Sequence, residues 1–306
     1  VGASVDIAAP DPQVRAPRAA GEVLRDVVSL TKPRLAGLVV FTTAGATALA
    51  PGALSGWTWL WVLLGTAGVV AGAHVFNCVL ERDVDGLMAR TATRPLPARR
   101  LPVGAAVVFG AALLAGALPM LWWGVNPLTA ALGGAALILY VLVYTPMKRR
   151  TDIAMLVGAI PGALPPLMGW TAATGRIEAG GLVLFVILFL WQLPHFIAIA
   201  LFRKDEYRAA GLTSVPLQRG DDAARLQAVL YLAALLPVSA LPTVVGVAGP
   251  VYLAVALGLG AWFTAVGVQG WRRRGDERWA RRLFGASLVY LTGLFAALGV
   301  SGALGL

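Results

Sequence analysis

Nine apolar runs, each near the length needed to cross a bilayer, decide what this chain can become. About 20 helical residues cover the hydrocarbon core. Runs of that order recur at approximately Leu35–Ala50, Trp57–Phe76, Val103–Trp123, Leu128–Pro146, Ile153–Ala173, Leu182–Phe202, Leu226–Val247, Val251–Gly270 and Leu283–Leu304. No Asp, Glu, Lys or Arg interrupts any of them. Lipid offers backbone N–H and C=O groups no water, so unbroken apolar segments of this length satisfy them as helices. The expectation is an all-α integral membrane protein of about nine transmembrane helices, the first of them short. Charged residues make up 13% of the chain, about half the share usual in soluble domains.

The basic residues test this layout, because Lys and Arg accumulate in cytoplasmic loops. With the amino terminus in the cytoplasm, that side receives five up to Arg34, five from Arg82 to Arg100 and three at Lys148–Arg150. It also receives five from Arg203 to Arg225 and six from Arg272 to Arg282, which leaves only Arg176 opposite. An odd number of crossings then puts the carboxyl terminus on the other side. The net charge of +10 is accounted for by topology and calls for no nucleic-acid partner. Residues 1–22 are rich in Ala, Pro, Gly and Arg without apolar periodicity and read as a disordered tail. Residues 23–306 read as one membrane domain, approached through Leu30-Thr-Lys-Pro-Arg34. A bacterial cell (inner) membrane is the expected location. The single cysteine, Cys78, excludes an intramolecular disulfide and a cysteine metal cluster.

Two constellations carry chemistry. Asn77, Glu81 and Asp85 are spaced by four and four where the second run meets charged sequence. Positions four apart drift only about 40° around a helix, so the three form one stripe of oxygen ligands. A hard cation such as Mg²⁺ satisfies such oxygens and bridges carboxylates to substrate phosphates. The Arg90, Arg94, Arg99 and Arg100 series that follows adds anion-binding capacity. The plain alternative is a solvated helix end. The second constellation follows the sixth run: Trp191-Gln192-Leu-Pro-His195-Phe196, then Asp205-Glu206-Tyr207. It too is an apolar helix ending in acids on the cytoplasmic side, suited to a second metal gripping the same diphosphate. His195 lies inside the apolar run, where a lone histidine is usually a core residue but is also a standard axial ligand to haem iron. No Asp, Glu, Lys or Arg sits at mid-membrane, which argues against an ion-coupled transporter.

These blocks resemble the UbiA superfamily of intramembrane prenyltransferases, whose first motif is Asn-x-x-x-Asp-x-x-x-Asp. Within it the likeness is greatest to the protohaem IX farnesyltransferase (haem O synthase) branch. It rests on Leu30 to Arg34, Asn77 to Asp85, Arg90-Thr-Ala-Thr-Arg94-Pro-Leu, Tyr144-Thr-Pro-Met-Lys148-Arg-Arg-Thr, Gly162 to Trp170, Trp191 to Phe196, and Asp205 to Gly211. The last third matches only in hydrophobicity and loop charge. The resemblance implies a helix bundle around a central cavity open toward the cytoplasmic side, with farnesyl diphosphate and haem B as substrates and Mg²⁺ as cofactor. It assigns Asn77, Glu81, Asp85, Asp205 and Glu206 to metal and catalysis. Arg34, Arg90, Arg94, Lys148, Gln192 and His195 are assigned to substrate binding. A haem A-forming enzyme or terminal oxidase assembly factors are the partners it suggests, beside the lipid bilayer. The chain departs from the pattern at Glu81 for Asp, at Asp205-Glu206 for the reverse order, at Leu212-Thr-Ser for a Pro-Met pair, and at Ala154 for a polar residue. The implied chemistry is ionisation of the allylic diphosphate and capture of the cation by a haem vinyl group, between walls such as Tyr144, Trp191 and Phe196. A sister transferase acting on a quinone precursor or another tetrapyrrole, and a haem or lipid carrier without chemistry, are the alternatives.

Overall fold

The computed structural model describes residues 19–52 and 54–304, and no strand occurs among them. The helices are α1 (Ala20–Leu30), α2 (Pro33–Leu49), α3 (Gly56–Asp85), α4 (Val103–Gly124), α5 (Pro127–Ile138), α6 (Thr145–Met147) and α7 (Ala154–Thr174). They continue with α8 (Ala179–Phe202), α9 (Lys204–Ala209), α10 (Val215–Gln218), α11 (Asp221–Val238), α12 (Leu241–Val244), α13 (Pro250–Arg272) and α14 (Glu277–Leu304). A π-helical stretch, Leu139–Tyr144, joins α5 to α6. Among the described residues, eight helical segments are long and apolar enough to cross a membrane, while α2, with 17 residues, is apolar but shorter. The expected run at Leu226–Val247 is divided into α11 and α12, with Pro237 and Pro242 at the break. Proline lacks the donor and fixes φ, so a continuous ladder fails there. Helix α1 opens at Ala20, within the 1–22 stretch expected as a tail; residues 1–18 lie outside the described ones.

Local chemistry sets the helix ends that matter for the site. Ser55 caps α3 by accepting from the Thr58 amide at 3.1 Å. Asn126 caps α5 by accepting from the Thr129 amide at 2.8 Å, and its Nδ2 donates to the Thr171 carbonyl, tying α5 to α7. These side chains satisfy donors that a helix start leaves unpaired. Lys32, just before α2, sits at φ 49°, left-handed backbone that non-glycine residues seldom adopt. Pro33 then starts the helix with φ already set.

Lipid tails are as apolar as leucine, so membrane helices associate through close packing and small residues rather than hydrophobic burial. At Gly68 of α3 an added Cβ would lie 2.7 Å from the Ala117 Cβ of α4, a contact that only glycine permits. Helix α3 packs on α4, α7 lies against α8 and α2, and α13 against α14 and α11. The main buried cluster (Ile187, Leu232, Tyr252, Phe263 and Tyr290 among it) joins α8, α11, α13 and α14. A smaller one, Val69, Ala117, Leu121, Ala130 and Met168, joins α3, α4, α5 and α7. The charged ends of α3 and α8 and the Lys148 loop meet where these two halves face each other.

Candidate active site

A cavity of about 280 Å³ opens at that junction, walled by Lys32, Asn77, Glu81, Asp85, Arg90, Arg94, Tyr140, Tyr144, Lys148, Asp152, Phe196 and Tyr207 among others. The three-residue stripe of α3 lies along it. Asn77 is buried, with Oδ1 accepting from Lys32 Nζ at 2.7 Å and Nδ2 donating to Thr145 Oγ1 at 3.2 Å. Glu81 accepts from Lys148 Nζ at 2.8 Å, and Asp85 from Arg94 Nη1 at 2.7 Å. Lys148 also lies 4.6 Å from the Tyr144 ring centroid, a cation–π contact. Each ligand of the stripe therefore faces one cation across the cavity wall.

Burial pushes the Lys32 ammonium below the usual lysine range, and nearby Lys148 and Arg94 act in the same direction. Burial opposes the Lys148 ammonium as well, but Tyr144, Glu81 and Tyr140 outweigh it and hold its pKa above that range. An arriving anion would favour the charged form of both.

The second cluster is divided. Glu206, itself outside the cavity lining, pairs with Arg203 and lies 3.9 Å from Arg90 Nε, which does line it, and its buried Oε2 has no hydrogen-bond partner among the described residues. Asp205 is 91% exposed and pairs with Arg208, away from the cavity lining. Arg34 is exposed and also outside the lining, whereas its neighbour Lys32 enters it. The reason is the helix start: Pro33 opens α2, so Lys32 caps the cavity side while Arg34 lies on the first turn's outer face.

A second cavity of about 290 Å³ lies against the first and shares Leu35, Tyr140, Tyr144 and Phe196 with it. Its walls are largely apolar, including Leu38, Val69, Leu137, Pro161, Pro165, Leu188, Trp191 and Leu291, with Thr42, His74, Gln192 and His195 among the polar exceptions. Two of the prolines inside α7, Pro161 and Pro165, thus line the chamber. Gln192 donates to the Leu188 and Ala159 carbonyls at 3.0 and 3.3 Å. Its place depends on Gly162, where a Cβ would fall 2.0 Å from Gln192 Oε1. Gly162→Ala is accordingly expected to displace Gln192, destabilise the protein by about 1–3 kcal/mol and raise KM for whatever substrate occupies this chamber. Denaturant titration and steady-state kinetics read the two effects separately.

Residue-by-residue reading missed Lys32, His74, Tyr140 and Asp152 as cavity residues. A signal existed for His74, which stands three before Asn77 and so extends the 77–81–85 stripe one turn deeper. None existed for Asp152, whose partner is Arg219, 67 positions away.

Among the described residues no cluster of three His, Cys, Asp or Glu side chains could hold a metal by itself. The donor set along the stripe is nevertheless all oxygen, as hard cations require, and behind Arg90 the buried Glu206 Oε2 accepts no hydrogen bond among the described residues. The residues fit a divalent ion that completes its shell with substrate phosphate oxygens.

The UbiA prenyltransferase family profile matches residues 38–291. A protoheme IX farnesyltransferase of Myxococcus xanthus (strain DK1622) is 57% identical over 276 residues, 90% of this chain and 94% of that protein. One from Acidovorax sp. (strain JS42) is 40% identical, covering 95% of this chain and 96% of its own. Among solved structures, a digeranylgeranylglyceryl phosphate synthase superposes with a TM-score of 0.79 at 17% identity, over 92% of this chain and 99% of that one. A UbiA homolog from Archaeoglobus fulgidus bound to GPP and Mg²⁺ gives 0.64 at 19% identity, over 89% and 99%. Sequence motifs, helical architecture and relatives agree: this multi-pass membrane protein belongs to the UbiA prenyltransferase family.

Proposed function

We propose that the protein transfers the farnesyl group of farnesyl diphosphate to a vinyl group of haem B, producing haem O. The observation that carries this reading is the pair of adjoining chambers, one lined by four cations and the acidic stripe, the other apolar. The first suits a diphosphate. The second suits a prenyl chain and a porphyrin, both poorly soluble in water. The relatives' names supply haem as acceptor.

Lys32, Arg90, Arg94 and Lys148 would hold the diphosphate and neutralise charge as the C1–O bond breaks, the largest single contribution available to such a reaction. Asn77, Glu81 and Asp85, with Glu206 reached beyond Arg90, would hold Mg²⁺, which when bound would polarise the leaving phosphate oxygens. Asp205, exposed, would act through the loop rather than at the metal. Tyr140, Tyr144 and Phe196, common to both chambers, would face the allylic cation and exclude water from it. The vinyl carbon forms the new bond to C1, and water then adds to the neighbouring carbon and loses a proton. The side bearing Arg90, Lys148 and Arg203 is assigned to the cytoplasm of a bacterial inner membrane, with the product passing to a haem A-forming enzyme.

The test is turnover with purified protein, haem B, farnesyl diphosphate and Mg²⁺, with haem products separated by mass. Chelation with EDTA is expected to lower product formation at least a hundredfold, and added Mg²⁺ to restore it. Farnesyl diphosphate consumed on an aromatic acceptor with haem untouched would transfer the reading to a sister transferase. Diphosphate never released would leave a carrier.

A further inference from the structure

The chain has two histidines, and both line the apolar chamber. They come from different helices that bound opposite halves of the molecule. His74 lies about 16 Å along α3 from its charged end at Asp85, and His195 about 10 Å along α8 from its end at Phe202. Two imidazoles lining one largely apolar chamber are costly unless something uses them.

Their hydrogen bonds say which nitrogen is available. Ser287 Oγ donates its single proton to the Phe284 carbonyl at 2.6 Å. It can therefore only accept at the 2.7 Å contact with His195 Nδ1, so Nδ1 carries the proton and Nε2 carries the lone pair. Trp191 and Phe284 flank the ring at 4.9 and 4.7 Å, and Trp191 Nε1 is itself fixed by the Ser287 carbonyl at 2.7 Å. His74 Nδ1 faces the Tyr140 hydroxyl at 3.4 Å, a group that can accept from Nδ1–H when Nε2 binds a metal. Neither Nε2 has a hydrogen-bond partner among the described residues. A hydroxyl or carbonyl on Nδ1 with Nε2 left bare is how proteins prepare a histidine to bind a metal.

Building on the haem reading above, we infer that the apolar chamber holds the haem substrate by its iron, between His195 and His74 as the two axial ligands. Ser287 is a positioning residue: it fixes the His195 tautomer and ring plane from α14. The arrangement makes the chamber select iron porphyrin over the metal-free ring, which has the same apolar shape but nothing for Nε2 to bind.

The experiment is titration of ferric haem B into purified protein in nanodiscs without prenyl diphosphate, read by optical and EPR spectra. The expected form is six-coordinate and low-spin. His74→Ala and His195→Ala should each convert it to five-coordinate high-spin haem, weaken binding at least tenfold, and return to low-spin with added imidazole. His195→Met, which keeps a ligand and bulk, should remain six-coordinate at a raised midpoint potential. Ser287→Ala should keep ligation but shift that potential, with Ser287→Thr restoring it. Protoporphyrin IX should bind at least tenfold more weakly than haem. A high-spin wild type, or a low-spin spectrum indifferent to His74→Ala or His195→Ala, overturns the inference. Wild type that makes farnesylated haem in the mass assay while failing these spectra removes only the axial site. Wild type that makes none removes the haem reading itself.

Discussion

Replacing Asp85 with alanine is expected to cut turnover about a thousandfold while changing affinity for the prenyl diphosphate little. Asp85 closes the stripe on α3 and is 2.7 Å from Arg94, which also lines the cavity. Without the carboxylate, Arg94 gains freedom to meet the diphosphate directly, so binding survives. What is lost is one oxygen that would hold Mg²⁺ against the leaving group, an interaction that strengthens only as the C1–O bond breaks. Losses of 10²–10³ are typical when one such preorganised group is removed. Effects confined to the bond-breaking step lower kcat and kcat/KM together. Steady-state kinetics on purified Asp85→Ala, with Asp85→Asn as the shape-preserving control, is the measurement. An unchanged kcat would remove Asp85 from the metal site. A raised KM at constant kcat would make it a binding residue only.

The pair Glu81–Lys148 is expected to show the second large effect, in stability as well as activity. Both side chains are largely buried, at 14% and 23% exposure, and they meet at 2.8 Å. Removing one partner of a buried pair leaves a charge without compensation, at a cost of about 3–5 kcal/mol. Lys148→Met should therefore lower the unfolding midpoint sharply, and Glu81→Gln less so, because Lys148 keeps its contact with the Tyr144 ring. The double variant should recover most of the stability lost in Lys148→Met, since the two effects share one interaction. It should recover none of the activity, because both the metal oxygen and the diphosphate cation are gone. A double variant as unstable as Lys148→Met would show that the ammonium is held by the aromatic ring rather than by Glu81.

Particular residues show how far the amino-acid order could be read. The 77–81–85 stripe was legible because all three residues belong to one helix, and helical geometry alone puts them on one face. The runs that became α3, α8 and α14 were legible because nothing but a helix satisfies an apolar segment in lipid. Arg90, Arg94 and Lys148 stand in the cavity where motif and charge put them. Arg34 was expected beside the substrate, yet Lys32 is the one that lines the cavity: the two look equivalent in sequence, and only the left-handed turn before Pro33 separates them. Asp205 and Glu206 are adjacent acids, yet one lies in solvent and the other has a buried oxygen beside Arg90. A helix of six residues turns consecutive side chains about 100° apart, so the direction of α9 decides which faces inward.

The sequence by itself determined the class of molecule, its long apolar helices, the acidic stripe of α3 and the family. Those depend on composition, on periodicity within single helices and on short contiguous motifs. Only the tertiary structure decided the two chambers, because their walls come from helices far apart in the chain. It alone brought Lys32 to Asn77 across 45 positions, Lys148 to Glu81 across 67 and Ser287 to His195 across 92. Pairings at such separations depend on how whole helices pack, and packing between helices in lipid is set by small residues and side-chain fit that no local pattern records.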